Sequence, residues 1–535
     1  MTMNQKSCIA AVALLSLLLL PVLASAQNDN ESYEAYKKRM QKEYNDFKKK
    51  QNDEYQNFRK KANEEYASFL KKYWEDYSAF KGEKPPVINP VPPIVCPDDD
   101  RRKERENEAK PFEEIVVVKH PKPQPRPVEP IVPKPQPPEP QPQPVKPIQP
   151  IGDDTQPSPK PIEPVKPVKD SVSVLFYGTM MQYYLESKPH FSLDGTDESS
   201  ISNAWRQLSN CQFDGLLVQC LNLRERFMLN DWAYIQLLDK ISVNIVGSAG
   251  NKATLLMAWL YCQSGYMMRL ARSNNQMYML YASDDIIYDC IYYSLGGKRF
   301  YPYKGEGIDY LNICNVPFPN EQTMTLEMCI EPFLSNRISS QRILQSKRYP
   351  SIKVTSTVNQ NLIDFYNDYP TGAVNNEFGT RWAIYANTPL SEEATMSLYP
   401  ELTSLLIGKD RLEATEELLN FVQTAFVYEY DDTVWGDDRG FFAEETLFYP
   451  YSDCEDRSIL FSRLVRDLLG LKVVLIYYPN HLATAVKFEE QQPKGDYLAL
   501  PDGNYFIADP TYSGATVGMS MPSMRDKNIT VIQLR

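Results

Sequence analysis

The chain has 535 residues and 42 prolines, so it is too long for one ordinary domain and too proline-rich to be globular throughout. Its formal net charge of −12 at pH 7 argues against a nucleic-acid partner, because binding to phosphate backbones draws its affinity from clustered lysine and arginine. The composition indicates a protein of several parts that does not bind nucleic acid.

Residues 1–26 have the layout of a cleaved secretory signal. An apolar run from Ile9 to Leu20 follows one lysine, and the small residues Ala24, Ser25 and Ala26 come next, where a signal peptidase would cut. No later stretch approaches about 18 uninterrupted apolar residues, the length that a bilayer span needs. We therefore expect an exported protein, periplasmic or extracellular, whose mature chain has no transmembrane span.

Residues 27–84 contain an eleven-residue repeat. In five successive copies a tyrosine is followed three residues later by a second aromatic residue, from Tyr33 and Tyr36 in the first copy to Tyr77 and Phe80 in the last. Eleven residues make three turns of about 3.67 residues, so the aromatic pairs return to one face of a helix. The repeat predicts a straight helical arm over residues 31–82. We interpret its aromatic stripe as a surface for self-association, and a solvated spacer helix is the alternative.

Residues 85–170 form a predicted linker. They hold 26 of the 42 prolines, and proline lacks an amide donor and has a fixed φ. This composition predicts an extended polyproline II tether without helix or sheet. A ligand for a proline-binding domain is the alternative interpretation.

From residue 171 the composition becomes mixed apolar and aromatic, and helix-like and strand-like runs interleave. This pattern predicts an α+β fold. We divide the remainder into residues 171–310, a β-rich intervening segment at 311–390, and residues 391–535, which carry the candidate chemistry.

A thiol, an imidazole and a carboxylate follow one another in the last segment. Ser452 or Asp453 can cap a helix that starts at Cys454 and is closed by Gly470. His481 begins the second of the two strands that follow, and Asp509 follows a third strand. These are the groups that nucleophilic thiol catalysis requires. A buried structural cysteine is one alternative, and a Cys/His/Asp metal site, for which a fourth ligand is lacking, is the other.

The helix-starting Cys454, the strand His481 and the sequence Asp-Pro-Thr at 509–511 resemble the transglutaminase-like superfamily of papain-like thiol enzymes. The resemblance covers residues 411–515. It implies a thiol acyl-transfer domain in which Cys454 is the nucleophile, His481 the base and acid, and Asp509 the residue that orients the imidazole. It further implies a cysteine peptidase or isopeptide hydrolase with a protein or peptide substrate. A protein-crosslinking transglutaminase and a non-catalytic cell-envelope binding or scaffold protein are the alternatives.

Two donors are needed to stabilise the oxyanion of such a reaction. The backbone amide of Cys454 is one candidate. Trp435 is the candidate for the second, because an indole plays that part in some relatives, and a packed aromatic residue is the alternative.

Residues 391–456 are strongly acidic, with 17 Asp and Glu against 3 Lys and Arg. Carboxylate oxygens are preferred ligands of calcium, and the Asp-Cys-Glu sequence resembles that of calcium-dependent relatives, so Asp453 and Glu455 are candidate calcium ligands. A basic substrate and a plain solvated acidic surface are the alternatives. The thiol chemistry itself requires no cofactor.

The same order of helix, strand and strand recurs near residues 205–310. Gly250, Gln276 and Tyr303 are spaced by 26 and 27 residues, against 27 and 28 for Cys454, His481 and Asp509. The pattern predicts a degenerate transglutaminase-like unit within residues 171–310 that has lost its chemistry and serves binding or support. A coincidence of element order is the alternative.

Overall fold

The computed structural model describes residues 33–73, 79–81, 108–109, 116–119 and 170–535, with short gaps at 186–188, 211–212, 289, 306–307, 309, 329, 374–378, 436–438, 491 and 525–527. The predicted signal at 1–26 and most of the predicted linker lie outside the described residues. The chain divides into two compact units, residues 1–61 with 129–149 and residues 62–128 with 150–535. The elements below show a mixed α+β fold, the class that the sequence predicts.

The helices are α1 (Tyr33–Tyr73), α2 (Glu198–Leu208), α3 (Asp214–Arg226), α4 (Asp231–Val246), α5 (Asn251–Gln263), α6 (Gln360–Asn367), α7 (Thr380–Asn387), α8 (Glu392–Leu406), α9 (Arg411–Ala425), α10 (Asp431–Val434), α11 (Ala443–Phe448) and α12 (Cys454–Leu469). In the part of the chain that the structure describes, none of them combines the length and the apolar character that a membrane crossing requires.

The first eleven strands are β1 (Ala79–Lys81), β2 (Glu108–Ala109), β3 (Val116–Lys119), β4 (Asp170–Phe176), β5 (Thr179–Leu185), β6 (Met268–Ser273), β7 (Gln276–Ser283), β8 (Ile286–Ile287), β9 (Tyr293–Leu295), β10 (Lys298–Pro302) and β11 (Tyr310–Cys314). The others are β12 (Arg342–Gln345), β13 (Lys353–Ser356), β14 (Gly372–Ala373), β15 (Val427–Tyr428), β16 (Tyr451–Ser452), β17 (Val473–Tyr478), β18 (His481–Lys487), β19 (Asp496–Leu500), β20 (Gly503–Ala508) and β21 (Thr530–Gln533).

The repeat helix is shorter than the sequence predicts. Helix α1 has 41 residues and ends at Tyr73, and the end of the fifth repeat forms β1, which pairs with β11. The open edge of β11 offers backbone hydrogen bonds to this segment, and the prolines at 85 and 86 disfavour a longer helix. The predicted continuous helix over residues 31–82 is therefore wrong at its C-terminal end.

The fourth repeat packs into the core of its own chain. Tyr66 is 2 % exposed, and its ring centre lies 4.8 Å from that of Trp205. The indole nitrogen of Trp205 donates to the Asn63 side chain at 3.1 Å. Ala67 and Leu70 are buried beside them. At this repeat, the aromatic stripe predicted to serve self-association is an intramolecular contact instead.

Two large sheets share one strand order. The first is β1-β11-β6-β7-β10-β9, and the second is β3-β21-β17-β18-β20-β19-β2. In both, a strand from the N-terminal part of the chain lies outside the last strand of the unit, and two hairpins follow. The outer strand is antiparallel in the first sheet and parallel in the second. A long buried helix precedes the first hairpin in each, α5 before β6 and α12 before β17.

Two strands come from the segment predicted to be a tether without sheet. Strand β2 pairs in parallel with β19, and β3 pairs in parallel with β21, so the second sheet is extended at both edges. The three consecutive valines of β3 lie in the proline-free stretch 112–120. Valine favours strands, and the edge of β21 supplies the hydrogen-bonding partner that the sequence does not reveal.

The intervening segment 311–390 is mixed rather than β-rich. It holds β12, β13 and β14 together with the helices α6 and α7. Helix α6 begins where the Asn359 side chain accepts a hydrogen bond from the Asn361 amide, which is a standard helix cap.

The second sheet is buried on both faces. Helix α12 covers one face with Ile459, Phe461 and Leu464, while a separate cluster that includes Ala483 and Met519 covers the other. Burial on both faces explains why β17 reads as the nearly continuous apolar run VVLIYY instead of alternating. Gly470 ends α12 in the left-handed conformation at φ 64°, which glycine adopts without strain.

The buried aromatic residue of the fourth repeat should be essential for stability. Tyr66→Ala leaves a cavity against Trp205, and we expect the free energy of unfolding to fall by about 3–5 kcal/mol. Phe69→Ala, in the same repeat but at a side chain 40 % exposed, should cost less than about 1 kcal/mol. Urea unfolding followed by circular dichroism measures both values. Equal losses would contradict the assignment of Tyr66 to the core.

Candidate active site

Helix α12 begins at Cys454, as the sequence predicts, and Asp453 is the residue before it. The short strand β16 leads into the helix and pairs in parallel with β15, so that Tyr428 lies opposite Ser452. Arg457, in the first turn of α12, is 3 % exposed and spans the two segments. It donates to the Ser452 hydroxyl at 3.1 Å and to the backbone carbonyl of Phe426 at 3.0 Å. These contacts hold the start of α12 against the end of α9.

His481 and Asp509 are in direct contact. His481 opens β18, Asp509 follows β20, and His481 Nε2 lies 2.9 Å from Asp509 Oδ2 with both residues 2 % exposed. The other carboxylate oxygen, Oδ1, accepts hydrogen bonds from the backbone amides of Thr511 at 2.8 Å and Tyr512 at 3.2 Å. The ring of Tyr478 stacks on the imidazole at 6.0 Å between centres. The structure therefore brings together the two residues that sequence spacing placed 28 positions apart.

The segment that carries Asp509 is anchored by one buried side chain. Gln423 Nε2 donates to the backbone carbonyls of Asp509 at 3.0 Å, Tyr512 at 2.9 Å and Ala515 at 3.1 Å. Its Oε1 accepts from the Gly514 amide at 3.1 Å. A single glutamine of α9 thus satisfies four backbone groups of the loop that follows β20.

The Ser458 hydroxyl, one turn along helix α12, donates to the Leu482 carbonyl at 3.0 Å, and this contact holds the helix start against the strand that begins at His481. The Cys454 thiol lies at that helix start. Its Sγ donates to Glu455 Oε2 at 3.0 Å, so the thiol is protonated in this arrangement. Burial, and then the negative charges of Glu455 and Asp453, raise the pKa of the Cys454 thiol well above its ordinary value. The side chain is 2 % exposed, so a substrate reaches it only when the covering side chains move.

Four buried carboxyl groups lie at the start of α12 in two overlapping sets, and only the first set includes the thiol. The first is Asp453 and Glu455 with Cys454, and the second is Asp431, Asp453 and Asp456, with the ligand atoms of each set within 4.8 Å of one another. Burial, followed by the charges of neighbouring carboxylates, raises the pKa of both Asp453 and Asp456 well above its ordinary value. Oxygen donors in such a cluster suit a hard divalent cation.

Asp453 is the carboxylate of this cluster that can accept a further ligand. It is 1 % exposed, and within the described residues its Oδ1 has no hydrogen-bond partner. By contrast, Asp456 Oδ1 accepts from the Phe441 amide at 2.9 Å, and Asp431 Oδ2 accepts from the Arg439 amide at 2.7 Å. A buried carboxylate oxygen without a partner is costly, so an additional ligand would stabilise it.

Trp435 packs among other side chains at the surface. It is 37 % exposed, and its ring centre lies 5.8 Å from Phe441 and 4.8 Å from Tyr449. The Arg439 guanidinium lies 5.0 Å from the same ring. These contacts favour the interpretation of Trp435 as a packed aromatic residue.

The upstream sheet has different side chains at the corresponding places. Helix α5 begins at Asn251, one residue after Gly250, so Asn251 occupies the position of Cys454. Gln276 is the first residue of β7, as His481 is the first residue of β18. When the two sheets are aligned on the pairing of these strands with β10 and β20, however, Met277 is the residue equivalent to His481. Tyr303 follows β10 as Asp509 follows β20.

Asn251 takes up the hydrogen bonds of this upstream position with its own amide. Its Oδ1 accepts from the Met277 amide at 2.9 Å, and its Nδ2 donates to the Asn275 carbonyl at 2.8 Å. No thiol, imidazole or carboxylate stands at the three corresponding upstream positions, which all lie among the described residues.

Several residues of this site escaped the sequence argument. Gln423 and Arg457 act through backbone carbonyls, and Tyr428 and Asp431 precede Cys454 by more than 20 residues. Asp456 offered the one usable signal, because it lies in the first turn of the helix beside Asp453 and Glu455.

Comparison with protein-family models and with curated proteins finds no match for this chain.

The helix behind this acidic cluster should make folding pH-dependent. Burial raises the pKa of Glu444 to about 7, although its carboxylate accepts from the Ser391 hydroxyl at 2.8 Å and the Asn359 amide at 3.2 Å. The folded state then holds a proton that the unfolded chain releases near 4.5, so stability falls as the pH rises from about 4.5 to about 7. The slope from this group is at most about 1.4 kcal/mol per pH unit.

We expect Glu444→Gln to flatten this dependence, measured by urea unfolding between pH 5 and pH 8. Glu392→Gln, at an exposed position, is the control and should leave the slope unchanged. A wild-type protein that gains stability over this range, or a variant with the same slope, would contradict the assignment.

Proposed function

We propose that residues 391–535 form a thiol enzyme of the transglutaminase-like type, a cysteine peptidase or isopeptide hydrolase acting on a protein or peptide substrate. The observation that carries the proposal is the buried contact of 2.9 Å between His481 and Asp509, next to the helix start that bears Cys454. A thiol, an imidazole and a carboxylate in this relation are what nucleophilic thiol catalysis requires.

Each group has a role that follows from its contacts. Asp509 accepts from Nε2, which leaves Nδ1 of His481 to take the thiol proton. The Cys454 thiolate then attacks the substrate carbonyl carbon, forming a C–S bond. His481 returns the proton to the leaving amine as the C–N bond breaks, and a water molecule hydrolyses the resulting thioester. The Gln423 contacts keep the Asp509 loop in place throughout.

The acidic surroundings oppose formation of the thiolate. Glu455 accepts a hydrogen bond from the thiol, and the charge of Asp453 acts in the same direction. We propose that a calcium ion binds Asp453 together with Glu455 or with Asp431 and Asp456. Its positive charge would offset these carboxylates. The partnerless Oδ1 of Asp453 supports this proposal.

Two alternatives remain tied to specific observations. A crosslinking transglutaminase uses the same groups, with an amine in place of water at the second step. A non-catalytic cell-envelope scaffold is favoured by the burial of Cys454 and the protonated state of its thiol.

The upstream unit fits a supporting role. The matched strand order of the two sheets supports the proposal that residues 171–310 are a degenerate copy of the C-terminal domain. Asn251 in place of the thiol supports its lack of thiol chemistry. We propose that it serves binding or support.

The N-terminal proposals rest on sequence. Export through residues 1–26 is proposed on the signal pattern. Self-association is proposed for the part of α1 before residue 62 on the aromatic repeat of its sequence.

The thiol–imidazole pair is tested by the pH dependence of Cys454 alkylation. In the full chain with calcium present, iodoacetamide should label Cys454 rapidly below pH 7. The extent of labelling is measured by peptide mass spectrometry. His481→Ala should slow labelling at pH 6 by roughly 100-fold, because an unassisted thiol has a pKa of about 8.5. His190→Ala, at an exposed histidine, is the matched control. An ordinary thiol profile shared by the wild type and His481→Ala would favour the scaffold.

Calcium binding is tested without any activity readout. Calcium at about 100 times its dissociation constant should stabilise the full chain by roughly 2.7 kcal/mol, seen as a rise in melting temperature over a chelator control. Asp453→Asn should remove the shift, and Glu392→Gln should retain it. Loss in Glu455→Gln but not in Asp431→Asn would select the first set of ligands, and the reverse would select the second. No heat of binding in the wild type by calorimetry would refute the site.

A further inference from the structure

Thiol attack on a carbonyl creates an oxyanion that needs donors already in place. The backbone amide of Cys454, at the start of α12, supplies one donor, and a second is required for strong stabilisation. The inference below rests on the proposed function and identifies the side chain that completes this pair.

Tyr428 has a hydroxyl group without a protein partner. Its Oη is buried, and within the described residues it makes no hydrogen bond. A buried hydroxyl without a partner costs about 1–3 kcal/mol, so its position calls for an explanation in terms of a ligand or a reacting group.

The position of Tyr428 is set by the elements around the nucleophile. Strand β15 pairs with β16, and Tyr428 lies opposite Ser452, two residues before Cys454. The Arg457 guanidinium lies 5.2 Å from the centre of the Tyr428 ring and is itself held by the carbonyls of Gln423 and Phe426. The ring is therefore supported by the same arginine that anchors the nucleophile helix.

The ring lies beside the first turn of α12, and the hydroxyl remains a donor. Burial, followed by the charges of Cys454 and Asp453, raises the pKa of Tyr428 above its ordinary value. The phenol is thus protonated at neutral pH and can donate a hydrogen bond. The ring of Trp435, by comparison, packs against Tyr449 and Arg439.

We propose that the Tyr428 hydroxyl is the second oxyanion donor of the Cys454 reaction. As the thiolate forms the C–S bond, the carbonyl π electrons move to oxygen. That oxyanion accepts hydrogen bonds from the Cys454 amide and from Tyr428 Oη. Collapse of the intermediate restores the carbonyl, breaks the bond to the leaving group and frees the hydroxyl again.

The test separates carbonyl chemistry from thiol reactivity. In the full chain, 4-nitrophenyl acetate acylates a reactive thiol through an oxyanion and releases 4-nitrophenolate, whereas iodoacetamide alkylates the same sulfur by displacement at a saturated carbon. Tyr428→Phe removes a hydroxyl that has no protein partner, so the fold should be retained. We expect its acylation burst to slow by about 100-fold or more while its alkylation rate stays at the wild-type value.

Tyr430→Phe is the matched control, because its ring lies 5.7 Å from that of Tyr428. It should acylate and alkylate at wild-type rates. The proposal is overturned if Tyr428→Phe acylates as fast as the wild type. It is also overturned if both reactions slow together, or if a thiolate that depends on His481 is never acylated. If His481→Ala is alkylated at the same rate as the wild type, the proposal of a thiol enzyme is itself refuted.

Discussion

The packing of the first turn of α12 against the β17–β18 hairpin is the constraint on which the site depends. Ser458 of this helix donates to the carbonyl of Leu482, the residue after His481, and so fixes the helix start that bears Cys454 against β18. Burial of both faces of the sheet makes this contact rigid, since side chains on either side resist displacement. Arg457 and Gln423 then attach α9 to the helix and to the Asp509 loop through backbone carbonyls. Buried polar groups of this kind are costly when unpaired, and so they hold the geometry to one arrangement.

Electrostatics sets a condition on any chemistry at this place. Asp453, Asp456 and the thiol are buried among like charges, and water does not screen them. The buried Arg457 guanidinium offsets part of this charge, and these groups still keep their protons unless a further positive charge arrives. The imidazole of His481 and a divalent cation at the carboxylates are two ways of supplying that charge. A protonated thiol that is hydrogen-bonded to Glu455 is therefore the state expected when neither of these positive charges is present.

The two sheets show how one topology can carry different side chains at its centre. Helix α5 precedes its hairpin as α12 does, but at the start of α5 the Asn251 amide joins the helix to the hairpin directly. At the corresponding positions of the C-terminal sheet stand the Cys454 sulfur and the His481 ring, and buried carboxylates lie beside them. The upstream unit also takes the end of α1 into its core through Tyr66 and Asn63. Residues 63–70 of α1 are thus part of the core of this unit, held there by packing and hydrogen bonds.

The sequence by itself determined the elements whose signals are local. The helix start at Cys454, the stop at Gly470 and the strand opened by His481 follow from residue type and spacing, and so does the spacing that the upstream unit shares. It failed where the partner is distant in the chain. Strands β1 and β3 exist because sheet edges were available to them, which neither a helical repeat nor a proline count can reveal. Only the tertiary structure decided that Tyr428 pairs beside the helix start, that Gln423 holds the Asp509 loop and that Asp431 joins Asp453 and Asp456, because hydrogen bonds and charge interactions act through space and leave no period in the sequence.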